Sequence, residues 1–494
     1  MPSVRIVGKT CVVFCLMGSC APLFAQGELH VGPTGTFRAA GDGLTDDTAA
    51  IQLALNAVVA GGTVVLEPGR TFLVNLAVGL RPKSQSRLEL HGATLRGPAG
   101  QGGRFIDLTS KTGVTIAGGT LLGSRNGPAA TYGVLSVNSS DVAIEDVTFQ
   151  DVYTDGVLVT GNPGGERVSV RGCRFVNGRR TGVYVAAGRH VSIESSTFES
   201  IHGELPEAGI QIQVNAGAAV EHVRIRQNMF RANGMAVNAL KAGGARLAYV
   251  GVTDNAVDGN GRGIVLAQAT YVAVEGNRIT GQATPRSAAL VLGPGTFDAT
   301  VAGNVLANNY RGIQADGASM VTITGNTIVG VGVRAGLGAG DDGDGITCSA
   351  PVGSLVSQCV ISGNSIKGSA GSGIRVARGS YMIVSNNVIT ESGQKGISIQ
   401  AVDDSQFRGN TISRSSLESV RGHDDIQVAA GARRNLVTLN QCRFGGSARA
   451  SIYVDATSVD TLVAENSLLG GAGFSNFSGT TSASWDGSSA SWNR

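Results

Sequence analysis

One short phrase, built on an asparagine, constrains this chain more than any other feature. Gly-Asn-x-Ile or a close variant occurs around Asn228, Asn255, Asn277, Asn304, Asn326, Asn364, Asn387, Asn410, Asn440 and Asn466. The intervals are 27, 22, 27, 22, 38, 23, 23, 30 and 26 residues. A repeat in this range marks a solenoid, in which each unit stacks on the next. Between the asparagines run short alternating stretches such as Val223-Arg224-Ile225-Arg226, Val272-Ala273-Val274-Glu275 and Val321-Thr322-Ile323-Thr324. Period-two alternation of β-branched residues reads as half-buried strand. Glycine-rich turns separate these strands, and almost no segment reads as helix. The pattern predicts an all-β chain, a single-stranded right-handed parallel β-helix of roughly a dozen coils, handed as parallel crossovers nearly always are. The asparagines are read as structural, because Asn tolerates a left-handed bend and its amide can bond its copy one rung away.

The ends differ from the repeats. Arg5 and Lys9, the apolar run Cys11 to Met17, and Leu23-Phe24-Ala25 before Gln26 have the plan of a signal peptide over residues 1–25. Met17-Gly18-Ser19-Cys20 weakly resembles a lipoprotein box, with Met where Leu is usual. No later stretch has the length and apolarity of a membrane span. An exported protein, periplasmic or secreted, is therefore expected. The formal charge is +3, and removing a leader that holds Arg5 and Lys9 but no acid leaves the rest near +1. No basic stripe is visible, which argues against nucleic acid as a partner.

Residues 26–75 read as a cap. Thr45 suits a helix N-cap, Asp46 and Asp47 suit its positive N-terminus, and Ile51, Leu55 and Val58 share one face. Such a helix would cover the open apolar end of the solenoid. The coils are expected over 76–470, and a Gly/Ser-rich tail with Trp485 and Trp492 over 471–494. Four cysteines remain outside the leader. Cys348 and Cys359 flank one over-long coil and are expected to close it as a disulfide in an oxidising compartment. Cys173 and Cys442 sit in similar phrases, read as buried small hydrophobes.

The phrase from Gly41-Asp42-Gly43-Leu44-Thr45-Asp46-Asp47-Thr48 to Ile51-Gln52 resembles the N-terminal signature of the pectate-lyase-like (pectin lyase fold) β-helix superfamily. That resemblance spans about residues 35–470 and implies the fold together with polysaccharide as the substrate class, among lyases, polygalacturonase-type hydrolases, uronan epimerases and phage depolymerase spikes. It is nearly silent on the reaction, since one scaffold hosts many chemistries. The paired-aspartate and Gly-His-Gly phrases of the polygalacturonase type are absent, as is the Asp-Pro-His-Asp phrase of mannuronan epimerases. Residues 179–215 look like a bacterial subgroup of secreted β-helix proteins that reads Gly-Ile-Asp-Ile-Glu-Pro. Here Gln211 and Gln213 stand where the acids would be.

Registering the coils on their Gly-Val or Gly-Ile steps locates a candidate site without the analogy. In each strand the Val or Ile points inward and the next residue outward, so Leu158, Tyr184, Gln211, Asn238 and Val265 fall in one outward row. Neighbouring loops add Asp155, Arg179, Arg180, His202, Glu204, Glu207 and Lys241. A polar strip on a solvent-facing sheet is often mere solvation, and the scarce His and Tyr raise the odds of function. The expected partner is an anionic polysaccharide, with Tyr184, His202 or Lys241 as base, Arg179 or Arg180 neutralising a uronate, and Gln211, Gln213 and Asn238 binding it. Hydrolysis would instead use two of Asp155, Glu204 and Glu207. A non-catalytic binding scaffold is the third reading, and the two glutamines favour it. A second charged group, Asp341, Asp342, Asp344, Arg375, Lys395, His423, Asp424 and Asp425, spreads over more rungs. Within it, Asp341-Asp342-Gly343-Asp344 supplies oxygen ligands of the kind calcium takes, although acidic loops without metal are commoner.

Overall fold

The computed structural model describes residues 27–469 except 128–130, 283, 285–286, 333–342, 352–355, 420–421 and 444–447, together with strands Phe477–Ser478 and Ala483–Trp485. The leader, Asp341, Asp342 and most of the tail, including Trp492, lie outside the described residues.

The alternating runs form strands that pair in parallel with the equivalent run one coil on. In one sheet Val223↔Val250, Val250↔Val272, Val272↔Ala299 and Ala299↔Val321 follow in register. Each coil contributes to three such sheets, of 19, 17 and 16 strands. The third carries the Gly-Val and Gly-Ile steps, and its main path of 15 strands gives about fifteen coils rather than a dozen. The fold is thus a right-handed parallel β-helix with one helix near its start.

The inward alternation builds a continuous core of Val, Ile and Leu. Phe149, Phe175, Phe198 and Phe230 stack with centroids 4.6 to 4.9 Å apart, the spacing of the rungs. That stack explains the glycine of the Gly-Val step. A Cβ on Gly156 would lie 2.6 Å from the Phe175 ring, and one on Gly182 would lie 2.6 Å from Phe198. Space decides these positions.

The asparagine ladder is continuous. Each Nδ2 reaches the next Oδ1 at 2.9 to 3.1 Å from Asn228 through Asn466, and all ten are buried. One detail differs from expectation. The left-handed residue is not the Asn but the one before it, as at Gly276 (φ 65°), Gly303 (φ 62°) and Gly325 (φ 63°). Asn fills the inward position after the bend, and its preceding glycine makes the bend. A second, interrupted row beside the next corner, unread in the sequence, bonds Asn233 to Asn260 and Gln282 to Asn309.

The helix spans Thr48–Ala57 and buries Ile51, Ala54 and Leu55 against the first coil. Its start is later than expected. Asp42–Asp46 is strand, and Thr45 bonds Asp42 instead of capping. Asp46 accepts from Thr48 N–H at 2.9 Å, while buried Asp47 accepts from Ala40 and Gly41 N–H. Desolvation pushes the Asp47 carboxyl above its usual range.

Cys348 and Cys359 are free thiols in this structure, both buried. They belong to strands of two different sheets, Ile346–Ser349 and Cys359–Ser362, and not to the loop between them. Their side chains meet inside the coil, where contact with Cys359 and burial raise the Cys348 thiol pKa well above its usual value. Cys173 and Cys442 are also free and buried.

Candidate functional site on the third sheet

Register places Tyr184, Gln211, Asn238 and Val265 opposite one another as successive outward residues. Asn238 donates to Gln211 Oε1 at 2.9 Å, and Gln211 donates to Gln213 Oε1 at 3.4 Å. Gln211 is buried, so this row is an amide chain closed on itself, with Gln213 at its exposed end.

The charged end of the row lies one rung earlier. Asp155 starts the strand Asp155–Thr160 and is wholly buried. Arg180, from the next coil, grips it with both forks, Nε to Oδ1 at 3.1 Å and Nη2 to Oδ2 at 2.7 Å. The same guanidinium carbon lies 5.3 Å from the Tyr184 ring centroid. Desolvation raises the Asp155 carboxyl to about 6, and Arg180 opposes that rise without cancelling it. Both oxygens of Asp155 are thereby spent, while Arg180 Nη1 takes no part in this pair and has no hydrogen bond among the described residues.

Around this pair stand groups from three loops. Arg179 covers the Tyr153 ring at 4.6 Å and approaches Glu204 at 3.8 Å. Arg125 donates to His202 Nδ1 at 2.9 Å, and it also bonds Asn177 and the His202 carbonyl. A guanidinium has no acceptor, so Nδ1 must be the acceptor and Nε2 carries the proton of a neutral ring. Tyr132 pairs in register with Asp155, and burial raises its phenol.

Several expectations change. Burial also raises the Tyr184 phenol, the wrong direction for a base. Lys241 lies three residues along its strand from Asn238, roughly 10 Å at strand rise, and its Nζ donates to Ala245 O at 2.9 Å. It does not join the cluster. Glu207 accepts from Gly203 N–H at 3.0 Å and closes its own loop. Arg125, Tyr132 and Tyr153 were missed. Tyr132 was legible, since it falls one coil before Asp155, whereas Arg125 comes from a turn far away in sequence with no repeat to register it.

Of the three acids in the candidate calcium loop, only Asp344 lies among the described residues. Its Oδ1 accepts from Ser372 N–H at 2.7 Å and its Oδ2 faces Arg375 at 3.9 Å. Among the described residues no group of three or more His, Cys, Asp or Glu could hold a metal ion. No described helix is long and apolar enough to cross a membrane.

A coil of this geometry, repeated along the chain, defines a known class. The right-handed β-helix region family matches over residues 105–279, 238–349 and 287–468. The chain belongs to that family. The uncharacterized protein YclG of Bacillus subtilis is 26% identical over 358 residues, 67% of this chain and 50% of that protein. The chain thus spans half the length of that curated relative. Among solved structures, an N-terminal fragment of gene product 12 of bacteriophage Phi29 is similar with a TM-score of 0.58 and 14% identity, over 88% of this chain and 86% of that one. A mutant tailspike of E. coli bacteriophage HK620, in complex with a pentasaccharide, is similar with a TM-score of 0.50 and 13% identity, over 94% and 79%. At such identities the likeness concerns the fold.

Proposed function

We propose that this protein is exported and acts on an acidic, uronic-acid-containing polysaccharide laid along the third sheet over the Asp155 to Asn238 rungs, by β-elimination. The observation that carries this reading is Arg180. Its charge is held by a buried carboxylate beside the Tyr184 ring, and its Nη1 takes no part in the carboxylate pair. A guanidinium preorganised in this way can neutralise a uronate carboxylate without reorganising. A tailspike of similar fold in complex with a pentasaccharide supports saccharide as the ligand class.

In β-elimination the C5–H bond breaks, the C4–O bond breaks, a C4=C5 double bond forms, and the leaving oxygen takes a proton. Arg180, helped by Arg179, draws charge from the carboxylate beside C5. Glu204 is half-exposed and loosely held, 3.8 Å from Arg179, whereas Asp155 is locked by Arg180 and Glu207 is engaged by Gly203 N–H, so Glu204 is the base. His202, with Nδ1 engaged by Arg125, hydrogen-bonds the leaving oxygen through Nε2–H, and that oxygen takes its proton from water or from the Glu204 carboxyl that has just received the C5 proton. Hydrolysis fits less well, because it needs two available carboxylates, while Asp155 is buried with both oxygens bound to Arg180 and Glu207 is engaged by Gly203 N–H. The self-satisfied amide row of Gln211, Gln213 and Asn238 favours a second reading, binding without turnover. A C5-epimerase would share the proton abstraction and return the proton to the opposite face.

The test incubates the protein with a panel of acidic polysaccharides and follows unsaturated-product absorbance and reducing ends together. Elimination raises both, and hydrolysis raises reducing ends alone. Glu204→Gln and His202→Ala should each lower turnover at least 100-fold with the circular dichroism unchanged, the scale of acid–base catalysis. Substrate binding without product, in wild type as in both variants, would leave the binding reading. Turnover insensitive to both substitutions would move the site elsewhere.

A further inference from the structure

The third sheet carries the same Asp–Arg–Tyr unit twice. Asp424 is wholly buried and is gripped by Arg449 of the next coil, Nε to Oδ1 at 3.0 Å and Nη2 to Oδ2 at 2.6 Å. The Arg449 guanidinium carbon lies 4.2 Å from the Tyr453 ring centroid. Asp155, Arg180 and Tyr184 repeat this pattern atom for atom, with the arginine 25 residues after the aspartate in both cases. The tyrosine is four residues after the arginine in both, at the outward position of its strand.

The sequence places these charges among a group scattered over many rungs, but the structure draws the cations together. Register brings Arg375 opposite Ser398, Ser398 opposite Gln427 and Gln427 opposite Tyr453. Lys395 lies at the strand start between these rungs and feels Asp424, Asp344, Arg375 and Arg449. Arg449 uses Nε and Nη2 on Asp424, as Arg180 does on Asp155, so in each unit Nη1 takes no part in the aspartate pair. Ten strand steps separate the two arginines along the sheet, about 48 Å at the spacing of neighbouring strands.

We infer that Asp424, Arg449 and Tyr453 form a second binding site for an acidic saccharide, and that one long anionic chain engages both sites at once along the third sheet. The bivalent arm of this inference rests on the reading of the Arg180 site as a saccharide site; the second site stands on its own geometry. Two sites tethered by one polymer gain affinity by effective concentration, whereas a short oligomer cannot reach both.

The experiment is titration calorimetry with polygalacturonate and alginate, each as polymer and as a trimer, on the full chain. The variants are Asp424→Asn with Arg449→Gln, Asp155→Asn with Arg180→Gln, and Tyr453→Ala. The paired swaps avoid leaving a buried carboxylate unpartnered, and circular dichroism checks the fold. A trimer of the preferred uronan should bind wild type at two sites and each paired variant at one. The polymer should bind wild type at least 100-fold more tightly than the trimer and lose that gain in either paired variant. Tyr453→Ala should weaken the second site alone. If the Arg449 variant keeps two trimer sites, or wild type has one, the second site is refuted while the Arg180 reading survives. If the Arg180 variant keeps two trimer sites and the Arg449 variant keeps one, the Arg180 reading fails and the second site stands. Binding of neither uronan overturns both.

Discussion

At the residue scale, the informative positions are those where the repeat is broken. Coil after coil places Gly at the step before Ile, as at Gly345, Gly373 and Gly396, and there Asp425 intervenes. Asp425 is fully buried and makes no well-formed hydrogen bond among the described residues, with the Ser415 hydroxyl beside it. Desolvation raises its carboxyl to about 7. A carboxyl whose folded pKa exceeds its unfolded value of 3.8 favours the fold below pH 4, and that contribution is lost as pH rises through 7. At 1.36 kcal/mol per unit the loss is about 4 kcal/mol. Asp425→Ser, the residue found at the same step one coil later as Ser451, should therefore raise the melting temperature at pH 8 and leave it nearly unchanged at pH 4. An equal shift at both pH values would refute the buried-carboxylate account. Asp155 has the same sign over a narrower window, from 3.8 to about 6, with its arginine still in place. The polar row through Tyr184, Gln211 and Asn238 was legible because register follows from period two. The protonation states were not. They depend on Arg125 and on burial, which no repeat encodes.

At the scale of elements, the asparagine ladder ties one coil to the next. Asn304 Oδ1 accepts from both the backbone N–H and the Nδ2 of Asn277, each at 2.9 Å. Its own Nδ2 donates to Val274 O at 2.8 Å and to Asn326 Oδ1 at 2.9 Å. Removing it orphans buried donors on one side and an acceptor on the other, and an unsatisfied buried group costs about 1–3 kcal/mol. Asn304→Ala should lower stability in urea by about 2–3 kcal/mol. A change below about 0.5 kcal/mol, the range of an ordinary surface substitution, would mean that the ladder is decorative. The sequence showed this ladder because Gly-Asn is a conspicuous phrase. It hid the second row, since Asn233, Asn260, Gln282 and Asn309 share no flanking motif. The cysteines make the same point. Spacing put Cys348 and Cys359 at the ends of a loop, yet alternation within each strand turns both into the coil, where their side chains touch. Mild oxidation should give one linked peptide pair, Cys348 with Cys359, in a non-reduced digest. A link to Cys173 would contradict the register of the coils.

At the scale of the whole molecule, stability is a sum over neighbours, because each coil touches chiefly the coils before and after it. Such a stack has two vulnerable ends, each with unpaired strand edges and an apolar cross-section. At the N-terminal end the helix Thr48–Ala57 lies on the strand Glu28–Gly32 and covers the first coil with Ile51, Ala54, Leu55 and Val58. Its outer face is not fully polar, since Leu53 is exposed, so its amphipathic signal in the sequence was weak. The resemblance of the Gly41 to Gln52 phrase marked the cap more clearly than periodicity did, and the reading of Thr45 as N-cap put the helix start two residues early, since Asp47 holds that place. Ile51→Asp with Leu55→Asp should detach the helix by placing two unpaired carboxylates where no partner exists. In a globular domain such a change would unfold everything. In a stack it should leave the distant coils intact and expose one edge, so the expected result is end-to-end association. Light scattering should detect dimers and larger species while the strand signal in circular dichroism falls by less than about a tenth, the share of one or two coils in such an additive stack. Hydrogen exchange should quicken over residues 28–73 and stay unchanged beyond residue 200. Loss of protection throughout the chain would show that the coils fold as one cooperative unit, and the neighbour-by-neighbour account would fall.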